Sequence, residues 1–142
     1  MNIEKVFRVI LFGIVLSVLV AEGVAQTSHQ LEVNVPFNFT VCSEQLPAGK
    51  YKLRPISSAD PRLVIMSSDN YRAAVISCAH DVQAPKRTTT GKLVFNRYGN
   101  EYFLSELWLR DEMTGRELLK SEREEAAEKE AGKIDKRVTI PF

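Results

Sequence analysis

The sequence predicts a mainly β domain, a small antiparallel sandwich or partly open barrel of about six to eight strands with one charged helix near the carboxyl end. Three features favour this class. Apolar residues alternate strictly over residues 31–41, shorter apolar runs separated by turn residues continue to residue 109, and a Gly-Asn link joins two β-rich runs. The charged segment that follows has a helical pattern.

The amino terminus is a separate element, and we expect residues 1–25 to be a signal peptide. Lys5 and Arg8 precede an almost wholly apolar run, Val9–Ala21, and Gly23-Val24-Ala25 supplies small residues for a signal peptidase. A retained anchor would need about 20 apolar residues, which is more than this run provides. Cleavage would leave residues 26–142 as one exported domain, periplasmic or extracellular. Only an uncleaved leader would attach it to a membrane.

Charge and cysteine content narrow the function classes. The formal net charge is +1 and the basic residues are interleaved with acidic ones, so we expect no nucleic-acid partner. After export Cys42 and Cys78 would meet an oxidising compartment, which favours a disulfide over two separate core residues. Two cysteines without a neighbouring histidine pair do not make a tetrahedral ligand set. The sequence therefore predicts no metal site and no cofactor.

The first strand has the clearest pattern in the chain. Apolar residues from Leu31 to Val41 alternate with mainly polar ones, as in a strand with one buried face. Pro36 donates no backbone hydrogen bond, so we expect this strand to lie at a sheet edge or to bend there. The polar stretch His80–Gly91 predicts an exposed loop. Further strands are predicted within Lys50–Arg54, Leu63–Met66 and Tyr71–Ala79.

A hairpin and a helix complete the predicted fold. The two-residue link Gly99-Asn100 predicts a tight hairpin between Lys92–Tyr98 and Glu101–Leu109. Thr114 and Glu117 match a capping box, which predicts a helix from about Gly115 to Ala131 that stops near Gly132. Alternating apolar residues then predict a last strand over about 136–142.

Three motifs resemble a family of small exported proteins of soil bacteria for which no activity is known. They are VNVPFNF at Val33–Phe39, LPAGKY at Leu46–Tyr51 and LVFNRYGNEYFLSELW at Leu93–Trp108. The resemblance extends from the first strand through Glu117. It implies an exported β-rich domain and supplies no catalytic residues. Cys42 and Cys78 are not expected to belong to the shared pattern.

Aromatic residues on the predicted hairpin are candidates for binding, and they give a stronger indication of function than any candidate for catalysis. An exposed aromatic row on a sheet can stack on sugar rings or pack against a partner protein, although the same rings can instead belong to the core. In a two-residue hairpin Arg97 opposes Tyr102, and Phe95 opposes Leu104 on the same face. The candidate surface consists of Arg97, Tyr98, Tyr102, Trp108 and Arg110.

Catalytic candidates are weaker. Nucleophilic catalysis needs a base within hydrogen-bond reach and a third group that orients it, and a His80-Asp81 dipeptide alone does not supply this arrangement. We therefore predict no catalytic residue and interpret the chain as a non-catalytic binding or structural module of the cell envelope, with an envelope protein or glycan as partner. The alternatives are a small hydrolase acting on an envelope polymer and a subunit that exchanges its last strand. Other residues considered for catalysis are His29, Ser77, Ser105, Glu101 and Glu106.

Overall fold

The computed structural model describes residues 31–55, 63–67 and 72–142. These residues form eleven strands and one helix, so the predicted mainly β class is confirmed. The predicted signal peptide and His29 lie outside the described residues. Within the described ranges, no helix is long and apolar enough to cross a membrane.

The strands are short, which is why they outnumber the predicted six to eight. In chain order they are β1 (Leu31–Val35), β2 (Phe39–Val41), β3 (Glu44–Leu46), β4 (Gly49–Pro55), β5 (Leu63–Ser67), β6 (Ala73–Ile76), β7 (Ala79–Gln83), β8 (Lys92–Tyr98), β9 (Glu101–Trp108), β10 (Thr114–Leu118) and β11 (Lys136–Pro141). Helix α1 (Glu122–Ala131) lies between β10 and β11.

Two sheets are formed. The first has four strands in the order β1-β4-β5-β6, and all its pairs are antiparallel. The second has seven strands, with the path β11-β8-β9-β10-β7, to which β2 joins through a parallel contact with β9 and β3 joins through β2. The predicted first strand therefore bends near Pro36, because β1 is an edge strand of one sheet and β2 belongs to the other.

The core lies where the two sheets face each other. Apolar side chains from both sheets form one cluster, which includes Val35, Tyr51, Ile65, Phe95 and Leu107, each at most 1 % exposed. A second, smaller cluster lies on the opposite face of the second sheet, under α1. The first cluster is the hydrophobic interior that the alternating sequence predicted.

Two boundaries differ from the prediction. Ala79–Gln83 was expected to be mostly loop, but it forms β7 and pairs with β10 from Ala79 to Gln83. This edge strand is largely exposed, so its polar sequence carries no apolar alternation that would reveal it. The predicted helix start at Gly115 was also wrong, since Thr114–Leu118 is strand β10.

The helix begins at a second capping motif with the same spacing. Ser121 is the N-cap, and its hydroxyl accepts a hydrogen bond from the Glu124 backbone N–H at 3.2 Å. Pairing of β10 with both β7 and β9 satisfies the backbone around Thr114, which rules that residue out as the cap. The helix ends where the sequence predicted, with Gly132 as C-cap at a φ of 79°.

Cys42 and Cys78 form a disulfide, with their Cα atoms 5.9 Å apart. Cys42 lies in the turn between β2 and β3, and Cys78 lies between β6 and β7, where the chain passes from the first sheet to the second. The disulfide therefore links the β2–β3 turn of the second sheet to the segment that connects the two sheets.

Candidate functional site

The predicted aromatic surface is divided between two faces of the second sheet. The hairpin register is as predicted, with Arg97 opposite Tyr102 and Phe95 opposite Leu104. Tyr98, however, is only 3 % exposed and packs with Phe103 beneath α1, on the face opposite the main core. Tyr98 therefore cannot contribute to an exposed aromatic row.

Trp108 is held by its neighbours on the same outer face. Its ring lies so close to Gly115 that a Cβ atom there would be 2.6 Å from ring carbons. The indole N–H donates to Glu106 at 2.8 Å, and the Lys92 ammonium lies 5.7 Å from the ring centroid. Arg110 lies beyond the end of β9 in an exposed turn. These contacts assign Trp108 a packing role.

Glu106 illustrates how the outer face is stabilised. Burial opposes its ionisation, but hydrogen bonds from Trp108 and from the Arg137 guanidinium hold the pKa of Glu106 below its ordinary value. The carboxylate is thus the acceptor for groups from two strands, β9 and β11. Glu106 is therefore part of a structural hydrogen-bond network with Trp108 and Arg137.

Tyr102 is the member of the predicted surface that borders a cavity. Its ring stacks on Phe37, with centroids 3.9 Å apart and an interplanar angle of 14°. The Arg97 guanidinium carbon lies 5.7 Å from the ring centroid. These contacts fix the orientation of the ring beside an open cleft that it helps to line.

The cleft has a volume of about 330 Å³ and lies where three parts of the chain meet. They are the β2–β3 hairpin with the residues before it, the start of β9, and the first turn of α1. Phe39 and Leu46 line the cleft but are each only 2 % exposed. Pro47 and Tyr102 are partly exposed and contribute its accessible apolar surface. Besides the buried Thr40, the polar side chains at the cleft are Asn38, Gln45, Asn100, Glu101 and Arg123.

An ion pair crosses the cleft wall. Arg123 donates from Nε to Glu101 Oε1 at 2.9 Å, and its Nη2 lies 2.5 Å from the same oxygen. With the Gln45 amide oriented so that its oxygen faces the guanidinium, that oxygen also accepts from Arg123 Nη2 at 2.9 Å. Asn38 is held from the other side, because its Oδ1 accepts from the Ala48 backbone N–H at 2.9 Å. Contacts within the protein thus position several of the polar groups.

A buried carboxylate holds the helix that carries Arg123. Glu124 is 4 % exposed and accepts hydrogen bonds from Asn96 Nδ2 at 2.9 Å and from the Tyr98 hydroxyl at 3.4 Å. Burial raises the pKa of Glu124 above its ordinary value, although the bond from Asn96 and the charge of Lys120 oppose this shift. Glu124 therefore fixes the first turn of α1 on the sheet.

The catalytic candidates His80 and Asp81 lie away from the cleft. His80 Nε2 is 3.3 Å from Glu117 Oε2, and the two side chains are 53 % and 47 % exposed. Asp81 instead pairs with Arg116 at 2.6 Å. Neither His80 nor Asp81 lines the cleft, and the two adjacent residues have different partners.

The remaining candidates for catalysis are also dispersed. Glu101 and Glu106 pair with different arginines, Arg123 and Arg137. Ser105 is buried in β9 at 9 % exposure, whereas Ser77 is an exposed residue between β6 and β7. These residues are therefore not gathered at one site.

Sequence reasoning missed most of the polar cleft. Asn38, Gln45, Asn100 and Arg123 belong to separate segments, and only Asn100 was singled out, as a turn residue. A signal for Asn38 and Gln45 would have been amide side chains in or beside short strands, which is also an ordinary turn composition, and no local signal marks Arg123.

Comparisons with protein-family models, with curated proteins and with solved structures find no match for this chain.

Proposed function

We propose that this chain is a non-catalytic, exported binding module of the bacterial cell envelope and that it binds its partner in the cleft beside Tyr102. The cleft itself is the observation that carries the proposal. Its volume of about 330 Å³ is at the lower end of the range for ligand pockets, about 300–1,000 Å³. This size suits a small ligand or one end of a longer polymer.

The arrangement of the cleft supports binding because its polar groups are held before a ligand arrives. Arg123 is oriented by Glu101, and Asn38 is oriented by the Ala48 backbone. Groups already held in place lose less conformational entropy on binding than free side chains do. An apolar surface beside several polar groups is also the usual composition of a small-molecule site.

Two features are compatible with export to the envelope. The Cys42–Cys78 disulfide suits an oxidising compartment. The leader over residues 1–25 has the composition of a signal peptide. The proposal of an envelope location rests on this combination.

The arrangement of His80 favours binding over hydrolysis. A hydrolase of the serine type needs a nucleophile in contact with a base, which a third group orients. His80 instead pairs with Glu117 on a half-exposed part of the sheet. In the strand-exchange alternative, a second copy would have to replace the pairing that β11 makes with β8 of its own chain from Lys136 to Pro141.

Site-specific photo-crosslinking in the native envelope tests the proposal. A photo-crosslinking residue is placed at Asn100 or Asn38 in the cleft, and at Glu130, an exposed position of α1, as the matched control. We expect mass spectrometry to identify the same envelope component at both cleft positions and not at the control. Capture of no shared component, or equal capture at the control, would refute the proposal.

A further inference from the structure

We infer that the cleft takes an uncharged saccharide, as a free oligosaccharide or as a unit of a neutral envelope glycan. The inference rests on the proposed function and adds the chemical class of the ligand. It is carried by the charge balance of the cleft, by its hydrogen-bonding groups and by the strand arrangement around it.

The charges of the cleft are balanced internally. Arg123 and Glu101 are its charged lining residues, and they are paired with each other at 2.5 Å. An anionic ligand would compete with Glu101 for the guanidinium, and a cationic ligand would compete with Arg123 for the carboxylate. Either competition weakens an existing charge-assisted contact, which a neutral ligand leaves intact.

The uncharged polar groups suit hydroxyls. Asn38, Gln45 and Asn100 each carry a carboxamide, which has two N–H donors and an acceptor oxygen. A sugar hydroxyl also donates and accepts, so it can pair with the amide N–H groups and with the Asn100 oxygen. The Asn38 and Gln45 oxygens already accept from Ala48 and Arg123. The partly exposed apolar surface of Pro47 and Tyr102 can contact the C–H groups of a sugar ring.

A neutral peptide is the less suitable ligand. Recognition of an extended peptide commonly adds a strand to an exposed sheet edge. At the cleft, β2 is already paired on both sides, with β3 and with β9. The next strand, β3, is only three residues long and is followed by Pro47, which has no backbone N–H to donate.

Nuclear magnetic resonance (NMR) spectroscopy can test the inference because side-chain amides give their own signals. The ¹⁵N-labelled protein, recovered after export, is titrated with cellotriose, maltotriose and triacetylchitotriose, with trigalacturonate as the anionic counterpart. We expect at least one neutral trisaccharide to shift the side-chain NH₂ signals of Asn38, Gln45 and Asn100. The signal of Asn34, an exposed residue of β1 outside the cleft, should not move.

Two variants give the matched affinity test. Asn100→Ala should weaken binding of the neutral sugar by about five- to tenfold, as expected for one lost hydrogen bond, whereas Asn34→Ala should leave it unchanged. Tighter binding of trigalacturonate, or no shift with any neutral trisaccharide, would overturn the inference. If cleft crosslinking succeeds while the neutral sugars fail, the ligand class is wrong and the binding module stands. If both fail, the proposed function fails as well.

Discussion

Removing the Cys42–Cys78 disulfide should lower the free energy of unfolding by about 4 kcal/mol. The two cysteines are 36 residues apart in sequence, and the chain-entropy relation for a loop of that length gives about 3.8 kcal/mol at 25 °C. Domains are typically stable by only about 5–15 kcal/mol. The variant Cys42→Ser/Cys78→Ser should therefore lose between about a quarter and about three quarters of a stability in this range.

The backbone conformation at Cys42 allows the effect of losing the disulfide to be separated from the effect of backbone strain. Cys42 and Ser43 form a two-residue turn between the paired residues Val41 and Glu44, and Cys42 has a φ of 54°. A non-glycine residue in this left-handed region costs about 1–2 kcal/mol. The variant Cys42→Gly/Cys78→Ser lacks the same bridge without that strain, so we expect it to be about 1 kcal/mol more stable than the double serine variant.

Urea unfolding monitored by circular dichroism provides the measurement. The chain has one tryptophan, so fluorescence gives a second probe of the same transition. Wild-type protein reduced with dithiothreitol is the control, and its midpoint should match that of Cys42→Ser/Cys78→Ser. A loss below about 1 kcal/mol would refute the loop-entropy argument, and equal stability of the glycine and serine variants would refute the strain argument.

Three further predictions concern close packing and a buried charge. Gly115→Ala should destabilise the protein by about 1–3 kcal/mol in urea unfolding, since the new Cβ would lie 2.6 Å from the Trp108 ring; an equal loss in a Trp108→Ala background would contradict this. Gly91→Ala would place a Cβ 2.5 Å from the Phe142 ring, but this ring is the partly exposed far end of a side chain and can move away, so the loss should not exceed that of Phe142→Ala in the same assay. The raised pKa of Glu124 contributes stability that is present below the pKa of this group in the unfolded chain and is lost as the pH rises through its folded-state pKa. Glu124→Gln lacks the ionisable group, so its stability relative to wild type should increase from pH 4 to pH 8. Parallel pH profiles of the two proteins would show this reasoning to be wrong.

Local sequence patterns correctly predicted two kinds of element: strands with alternating apolar side chains, and a tight turn that needs a glycine. The alternation over residues 31–41 identified the buried face of β1 and β2, and Gly99 at a φ of 57° provides the tight hairpin turn. The start of the helix was mispredicted because Thr114 and Ser121 are each followed three residues later by glutamate. Only the sheet pairing of the first segment decides between them.

The cleft depends on long-range contacts and could not be predicted in the same way. Asn38 and Arg123 are far apart in sequence, and they meet because β2 joins β9 in parallel while Glu124 holds α1 on the sheet. The parallel contact is a single pair, Thr40 with Phe103. No local periodicity carries information about such a contact.

The position of β11 has a consequence for the order in which the chain can fold. This strand completes one edge of the second sheet, and it is followed by Phe142, whose backbone N–H donates to the Gly91 carbonyl at 2.9 Å. A chain threaded through a membrane from its amino terminus, as export by the predicted signal peptide implies, would deliver β11 after both cysteines. Cys42 and Cys78 would already have emerged, so the covalent bridge can form while β8 still lacks its outer neighbour.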